Sequence, residues 1–358
     1  MLLIRPSELR DLDALLALSR AVGPGMTSMP ADGDAWQEKL LASQRAFSAA
    51  GAGDSASTYF MVLEDHQTGR VVGTTAIYTG IGLRQPFYSY QVSTLSNSSR
   101  DLALTRQASL LSLVSDYNGA TEIGSLFLLP EYRQPGVGQF LSRGRFLLLA
   151  DFPQRFGAQV MAELRGWQDE RGQSPLWEHL GSKFFGIEFQ EAVQMAALKG
   201  SQFISDMMPK YPIYIDLLPQ AAREVIGKPH ASSAAALHML QKEGFEFSGN
   251  VDLFDGGPSV QAQARDIYTV RDSRTAVCRL DRGAAAAAGE QLMLLSNARL
   301  DRYRLTLAPA RLDAQGKLLI STQTAAALQV AAGDPLRYIY SRSASRTGSA
   351  CVQDNAVA

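Results

Sequence analysis

The sequence predicts an α/β fold of the mixed (α+β) kind: a mixed sheet flanked by helices, followed by a smaller, mostly-β C-terminal module. Three observations carry this. Strand-like and helix-like patterns alternate through the first two thirds of the chain. A buried-strand run, Ile123 to Leu129, passes through a turn with two glycines into an amphipathic helix. After Asp255-Gly256-Gly257-Pro258, short strand-like runs alternate with turns. The expected units are 1–257, 258–340 and a disordered tail, 341–358, that has few large apolar residues. The chain's 358 residues suffice for roughly two domains.

The elements follow in order. Leu2-Leu3-Ile4-Arg5 reads as a short strand. Asp11 can cap a helix whose Leu12, Leu15, Leu16 and Leu18 repeat at helical spacing. Residues 23–57 are rich in Gly, Ala and Ser, with one amphipathic stretch from Trp36 to Phe47. Tyr59 to Leu63 and Val71 to Tyr78 flank the turn His66-Gln67-Thr68-Gly69, which makes a hairpin. In the helix after the glycine turn, Val137, Phe140, Leu141, Leu147 and Leu148 fall close to one face. Val160 to Leu164 is a further strand. Two segments share a plan of helix, glycine, then aromatic strand: Ser174–Gly181 before Phe184-Phe185, and Ala234–Glu243 before Gly244-Phe245. Tyr303 to Leu307 and Lys317 to Ile320 read as strands of the C-terminal module, and Gly283 to Gly289 as a loose loop.

Composition excludes several function classes. A hydrophobic fraction of 46% against 19% charged residues excludes a mainly disordered chain. A net charge of -1 argues against a nucleic-acid coat or a basic membrane-surface protein. Cys278 and Cys351 make neither a disulfide framework nor a zinc site, and no metal is expected. Without an apolar run of membrane length or a leader at Met1 to Pro6, the expectation is a soluble cytoplasmic protein.

The most informative motif is Arg133-Gln134-Pro135-Gly136-Val137-Gly138, an R-x-x-G-x-G string between strand and helix. Glycines let backbone approach a ligand closely, and free N–H groups at a helix start bind anionic oxygen. Without a following Lys-Ser/Thr it is not a Walker A loop. Alone, it could equally be loop punctuation.

With its flanks the string resembles the Gcn5-related N-acetyltransferase superfamily, whose strand ends in Leu-x-Leu-x-Pro-Glu-Tyr-Arg before x-x-Gly-x-Gly and a helix. That resemblance implies coenzyme A pyrophosphate on the amides of Gly136, Val137, Gly138 and Gln139, beside Arg133. It implies a pantetheine arm along Leu126 to Leu128. Longer strings are similar to the bacterial arginine N-succinyltransferase family. They are Gly119 to Leu128; Ala162-Glu163-Leu164-Arg165-Gly166 with Asp169-Glu170 and Ser174 to Trp177; Met208 to Tyr214; and Val251 to Pro258. This implies succinyl transfer from succinyl-CoA, a co-substrate rather than a resident cofactor, to the α-amine of L-arginine, the first step of arginine degradation to glutamate. It also implies a homo-oligomer or a complex with a related subunit. The family's Gly-x-Val-His-Pro string reads Gly227-Lys228-Pro229-His230-Ala231 here.

His230 is the candidate proton donor, a role the resemblance assigns to this position. By its own residues it is a loop histidine near a helix start, where the dipole favours neutral imidazole. Glu122 and Glu163 stand at or beside strands. Either suits a guanidinium or an amine, and either could instead cap a strand or pair with Arg165. Asp255 reads as turn chemistry, Trp177 and Phe184-Phe185 as core. His66, His179 and His238 form no metal motif. Arg84, Arg165 and Lys210 are candidates for the succinyl carboxylate. Two alternatives stay open: an acetyl-CoA-dependent amine N-acetyltransferase, and a non-catalytic partner subunit.

Overall fold

The computed structural model describes residues 1–22, 26, 28–48, 56–199, 202–281 and 289–341. Apart from Ser341, the expected tail lies outside the described residues, as does the expected Gly283–Gly289 loop up to residue 288.

The strands are β1 (Leu2–Pro6), β2 (Thr58–Asp65), β3 (Arg70–Tyr78), β4 (Ser89–Ser99), β5 (Leu104–Val114), β6 (Thr121–Leu128), β7 (Gln159–Glu163), β8 (Ile213–Tyr214), β9 (Glu246–Val251) and β10 (Pro258–Gln263), then β11 (Arg274–Asp281), β12 (Gln291–Ser296), β13 (Leu305–Leu312), β14 (Leu318–Ser321) and β15 (Pro335–Tyr340). The main sheet runs β1-β2-β3-β6-β7-β10-β9-β4-β5-β8. The mixed sheet with flanking helices and a C-terminal strand module is as the sequence predicts. Helices α1 (Leu12–Val22) and α2 (Gly33–Phe47) pack on one face, where Leu15, Trp36 and Leu40 meet Phe60, Val62 and Val71. Asp11 does not cap α1 as expected. It lies buried one residue before the helix, accepts from the Glu8 N–H at 2.8 Å and pairs with Arg5 at 2.8 Å.

Helix α3 (Val137–Asp151) covers the other face and is the crossover between β6 and β7, which pair in parallel. Its burial exceeds one face: Phe140 to Ala150 are buried without a break. The C-terminal module adds Leu294, Leu305 and Ile339 to the core around α3, and Arg143 bonds the Tyr340 carbonyl at 3.4 Å, the Thr269 hydroxyl at 2.9 Å and Glu243 at 3.3 Å.

Phe184 and Phe185 are not a strand. They end a helix that runs from Pro175 through a π-turn at Trp177–Gly181, and α4 is its last turn (Ser182–Phe185). Trp177 stacks on Phe185 at 5.3 Å and on Phe254 at 5.4 Å, as core. The second segment keeps the expected plan, helix Ala234–Lys242 leading through Gly244 into β9.

Past the expected boundary at 257, β10 is still part of the main sheet, between β7 and β9. The Asp255–Pro258 turn thus joins β9 to β10. Strands β11–β15 then close on themselves in the ring β12-β15-β11-β14-β13-β12, around Cys278, Met293, Leu295, Leu318 and Leu336. The N-terminal part of β13 also pairs with β1, Leu3 opposite Thr306 and Ile4 opposite Leu305. Among the described residues no helix is long and apolar enough to cross a membrane.

Candidate active site

The site forms where the main sheet opens. Strands β6 and β7 pair at two positions, Thr121 with Val160 and Glu122 with Met161. From Ile123 onward the edge of β6 facing β7 has no strand beside it among the described residues. The other edge pairs with β3 across a bulge at Ser125, which adopts a left-handed φ of 49°. Thr74 holds the bulge by donating to the Ser125 carbonyl at 2.8 Å. Leu126 and Leu128 pack toward the α3 side of the sheet. The Leu128 carbonyl also accepts from Arg133 Nε at 3.0 Å.

Beyond β6 the chain turns at Pro130–Tyr132 and enters α3 at Gly136, whose φ of 88° requires glycine. Gly138 has no such need. Its φ is ordinary, and a Cβ there would meet no atom within 4 Å. The fold does not explain this glycine; close approach of a ligand to the backbone would. The N–H groups of Gly138 and Gln139 lie in the first turn, where helix geometry supplies no partner. Helix start and open β6 edge lie at the two ends of one turn, so Leu126, Leu128, Arg133, Gly136, Val137, Gly138 and Gln139 line one region.

On the α1/α2 side of the opening lie carboxylates. Burial pushes Glu122 up to about 7, partly offset by the Lys39 ammonium. Burial also raises Glu163 well above the usual range, reinforced by Asp252, Glu122 and Asp255. Asp252 is raised by burial and by Asp255, although its carboxylate accepts from the N–H groups of Phe254 at 2.7 Å and Asp255 at 2.8 Å. Asp255 is more than a turn residue. It is buried and accepts from Gly166 N–H at 2.8 Å and Gly257 N–H at 2.9 Å.

Around these acids are buried polar atoms without a partner: Glu163 Oε1, Ser259 Oγ, Asn250 Oδ1 and Arg165 Nε. Ser259 stands directly across the ladder from Glu163. Tyr117 adjoins them and donates to Ser248 at 2.6 Å. A buried polar atom left unbonded costs roughly 1–3 kcal/mol, and such atoms rarely gather without a reason. Most here are acceptors, as a donor-rich cation requires.

His230 closes the far side. Its N–H bonds the Arg165 carbonyl at 2.8 Å, and Pro229 bridges to Gly166, so its loop is pinned to the end of β7. The ring caps the short turn Ala231–Ser233: Nδ1 accepts from Ser232 N–H at 3.2 Å. With Nδ1 accepting there, and Ser232 Oγ also 2.7 Å away, a neutral ring carries its proton on Nε2. Burial and Arg165 lower its pKa, against a smaller opposing effect of Asp255. Neutral imidazole is favoured as expected, but by burial and Arg165.

Glu122, Glu163 and His230 are thus brought to one opening. Sequence reasoning missed Asp252, Tyr117, Asn250, Ser259 and Lys39. Two were signalled by strings already noted, Asp252 within Val251–Pro258 and Ser259 just after it. Arg84 and Lys210 are exposed. Among the described residues no cluster of three or more His, Cys, Asp or Glu is arranged to hold a metal.

A splayed parallel strand pair, a glycine-started helix beside it and an acidic cleft with a proton-bearing histidine define an acyl-coenzyme-A-dependent N-acyltransferase. Residues 2–269 match the family model described as arginine N-succinyltransferase beta subunit, and residues 276–340 match that of its C-terminal domain. The chain belongs to the arginine N-succinyltransferase beta subunit family. It is 38% identical to the arginine N-succinyltransferase subunit beta of Pseudomonas aeruginosa, covering 94% of this chain and 98% of that one. It is 38% identical to the arginine N-succinyltransferase of Yersinia enterocolitica, covering 95% and 97%. The solved arginine/ornithine succinyltransferase subunit AI of Pseudomonas aeruginosa superposes with a TM-score of 0.85 at 32% identity, covering 95% of this chain and 98% of that one.

Proposed function

We propose that the chain transfers the succinyl group of succinyl-CoA to the α-amine of L-arginine, opening the degradation of arginine. The gathering of orphaned acceptors around Glu163, Asp252 and Asp255 carries this reading, because a guanidinium offers five N–H donors and a fixed positive charge to such a wall. The pyrophosphate of the coenzyme rests on the N–H groups of Gly138 and Gln139, and its pantetheine arm runs along the open edge at Leu126 and Leu128. Glu122, poised near neutrality, takes a proton from the arriving ammonium. The free amine attacks the thioester carbonyl, which a β6 N–H near Leu126 polarises. The tetrahedral adduct collapses with cleavage of the C–S bond: the second proton of the attacking nitrogen goes to the departing sulfur, while the Nε2–H of His230 donates a hydrogen bond to the thiolate as it forms. Attack is direct in this reading: among the described residues the one cysteine, Cys278, lies buried in the core of the strand ring, away from the opening.

The test is thiol release from succinyl-CoA and acetyl-CoA, with and without L-arginine. Arginine-dependent release from the succinyl donor is expected; release from the acetyl donor alone would sink the reading. The matched description names a beta subunit, which favours a second reading in which this chain works beside a related one. Activity that appears only on mixing the two chains would select it.

A further inference from the structure

Among the described residues, Lys39 is a cation that the fold holds without an anion in contact. Its ammonium lies over three aromatic rings, 5.7 Å from the centroid of Trp36, 5.3 Å from Phe60 and 5.0 Å from Tyr78. It donates to the Ser28 carbonyl. Among the described residues no carboxylate lies within ion-pair distance of it, although it acts on Glu122 through space. An ammonium has three donors, and among the described residues one is used. The rings attract the charge while displacing the water that would otherwise solvate it.

The same rings border a row of hydroxyls. Tyr78 Oη lies 2.6 Å from Ser125 Oγ, which lies 2.8 Å from Ser28 Oγ. Ser125 is the bulge residue, immediately before Leu126. A Cβ on Gly124 would stand 3.3 Å from the Tyr78 ring and 3.8 Å from Glu122 Oε1. Lys39 and the hydroxyls therefore share the face of the sheet that carries Glu122. The opening is polarised: one cation with hydroxyls beside the bulge, and acids toward β7 and the Asp252–Asp255 turn.

We propose that Lys39, with the hydroxyls of Ser28, Ser125 and Tyr78, binds the free carboxylate of the succinyl group and so selects a dicarboxylic acyl donor. This rests on the succinyl-transfer reading above. With the thioester carbonyl at the β6 N–H near Leu126, the acyl chain starts one residue from the bulge. Two methylenes then carry a carboxylate toward the hydroxyl row. Arg165 is placed differently. It donates to Gln168 and stands near Asp255 and His230, at the acidic end where the acceptor sits.

The test compares kcat/KM for succinyl-CoA and butyryl-CoA, a donor of equal carbon count without the carboxylate, using L-arginine and the full chain. The preference for succinyl over butyryl should fall about 10- to 100-fold in Lys39→Met, the range a charge-assisted hydrogen bond commands. Lys39→Arg should regain part of it. The ratio cancels any effect of Lys39 on Glu122, which moves both donors together, as would a merely structural role. Titration with free coenzyme A checks that each variant is folded. Should Lys39→Met fail to bind it, Tyr78→Phe keeps the ring and must lower the same ratio. An unchanged ratio in the folded variants, or a ratio that collapses in Arg165→Met instead, overturns the proposal. A parent protein without arginine-dependent release from succinyl-CoA overturns the functional reading, and this proposal with it.

Discussion

His230 does two things with one ring. Its Nδ1 caps a turn, and in the proposed mechanism its Nε2–H serves the departing thiolate. The two uses separate by substitution. Asparagine can keep the cap, so His230→Asn should unfold at the parent's temperature yet turn over about 100-fold slower. His230→Ala should lose the same activity and about 1 kcal/mol of stability besides. Equal activity in the asparagine variant would remove the histidine from the chemistry. Glu122 gives a pH test. Its pKa is raised from the model-peptide value of 4.5 to about 7, so the folded state binds more protons than the unfolded one between those values. Its contribution to stability is therefore present at low pH and lost as pH rises through 7. Glu122→Gln should match the parent's thermal stability near pH 4 and exceed it above pH 7, by on the order of 1–3 kcal/mol. The same substitution should abolish the rise of kcat/KM with pH centred near 7. A flat parent profile would exclude Glu122 as the base.

At the scale of elements, the glycine turn makes a claim that its two glycines divide between them. Gly136 serves the fold, through its positive φ, and Gly138 does not. Gly138→Ala should leave the free protein as stable or up to about 1 kcal/mol more stable, since alanine favours the helix. It should nevertheless weaken binding of free coenzyme A, read by calorimetry, because a methyl would stand where the pyrophosphate approaches. Unchanged affinity would make the turn simple punctuation. Much of this region was legible in the sequence, since strand, turn and helix each carry local signals within some thirty residues. Glu122 and Glu163 were legible as candidates for the same reason. The acids' company was not. Asp252, Asn250 and Ser259 reach Glu163 through pairing of β7, β9 and β10, strands nearly a hundred residues apart, and such contacts leave no periodicity to read. Phe184 and Phe185 were misjudged as strand because local aromatic content cannot reveal a Trp177 ring waiting to stack on a helix.

The whole molecule adds a constraint on α3. Asp151, its last residue, has a buried side chain that pairs with Arg337 of β15 at 2.8 Å, accepting also from Ser296 at 2.6 Å and Tyr303 at 3.2 Å. A carboxylate at a helix C-terminus opposes the dipole, and burial raises its pKa further. It persists because the strand ring supplies the partners. Asp151→Ala leaves Arg337 without its carboxylate partner, and should cost about 3–5 kcal/mol, visible as a lower midpoint in denaturant. A loss under 1 kcal/mol would show that the ring is held by its apolar contacts instead. The sequence change near Pro258 marked the onset of strand-rich chain but not the ring itself, because closure depends on β12 meeting both β13 and β15, which no local pattern encodes.

One stave of that ring is shared. β13 belongs to the closed cylinder and, through Leu305 and Thr306, lies against β1 in the large sheet, with the Thr306 hydroxyl clasping the Leu2 carbonyl. A hinge between the two halves would have to tear backbone hydrogen bonds at that seam. That seam ties the cylinder to the edge of the large sheet. The cylinder thus anchors the far end of α3 through Asp151, while the near end of the helix is the proposed seat of the coenzyme.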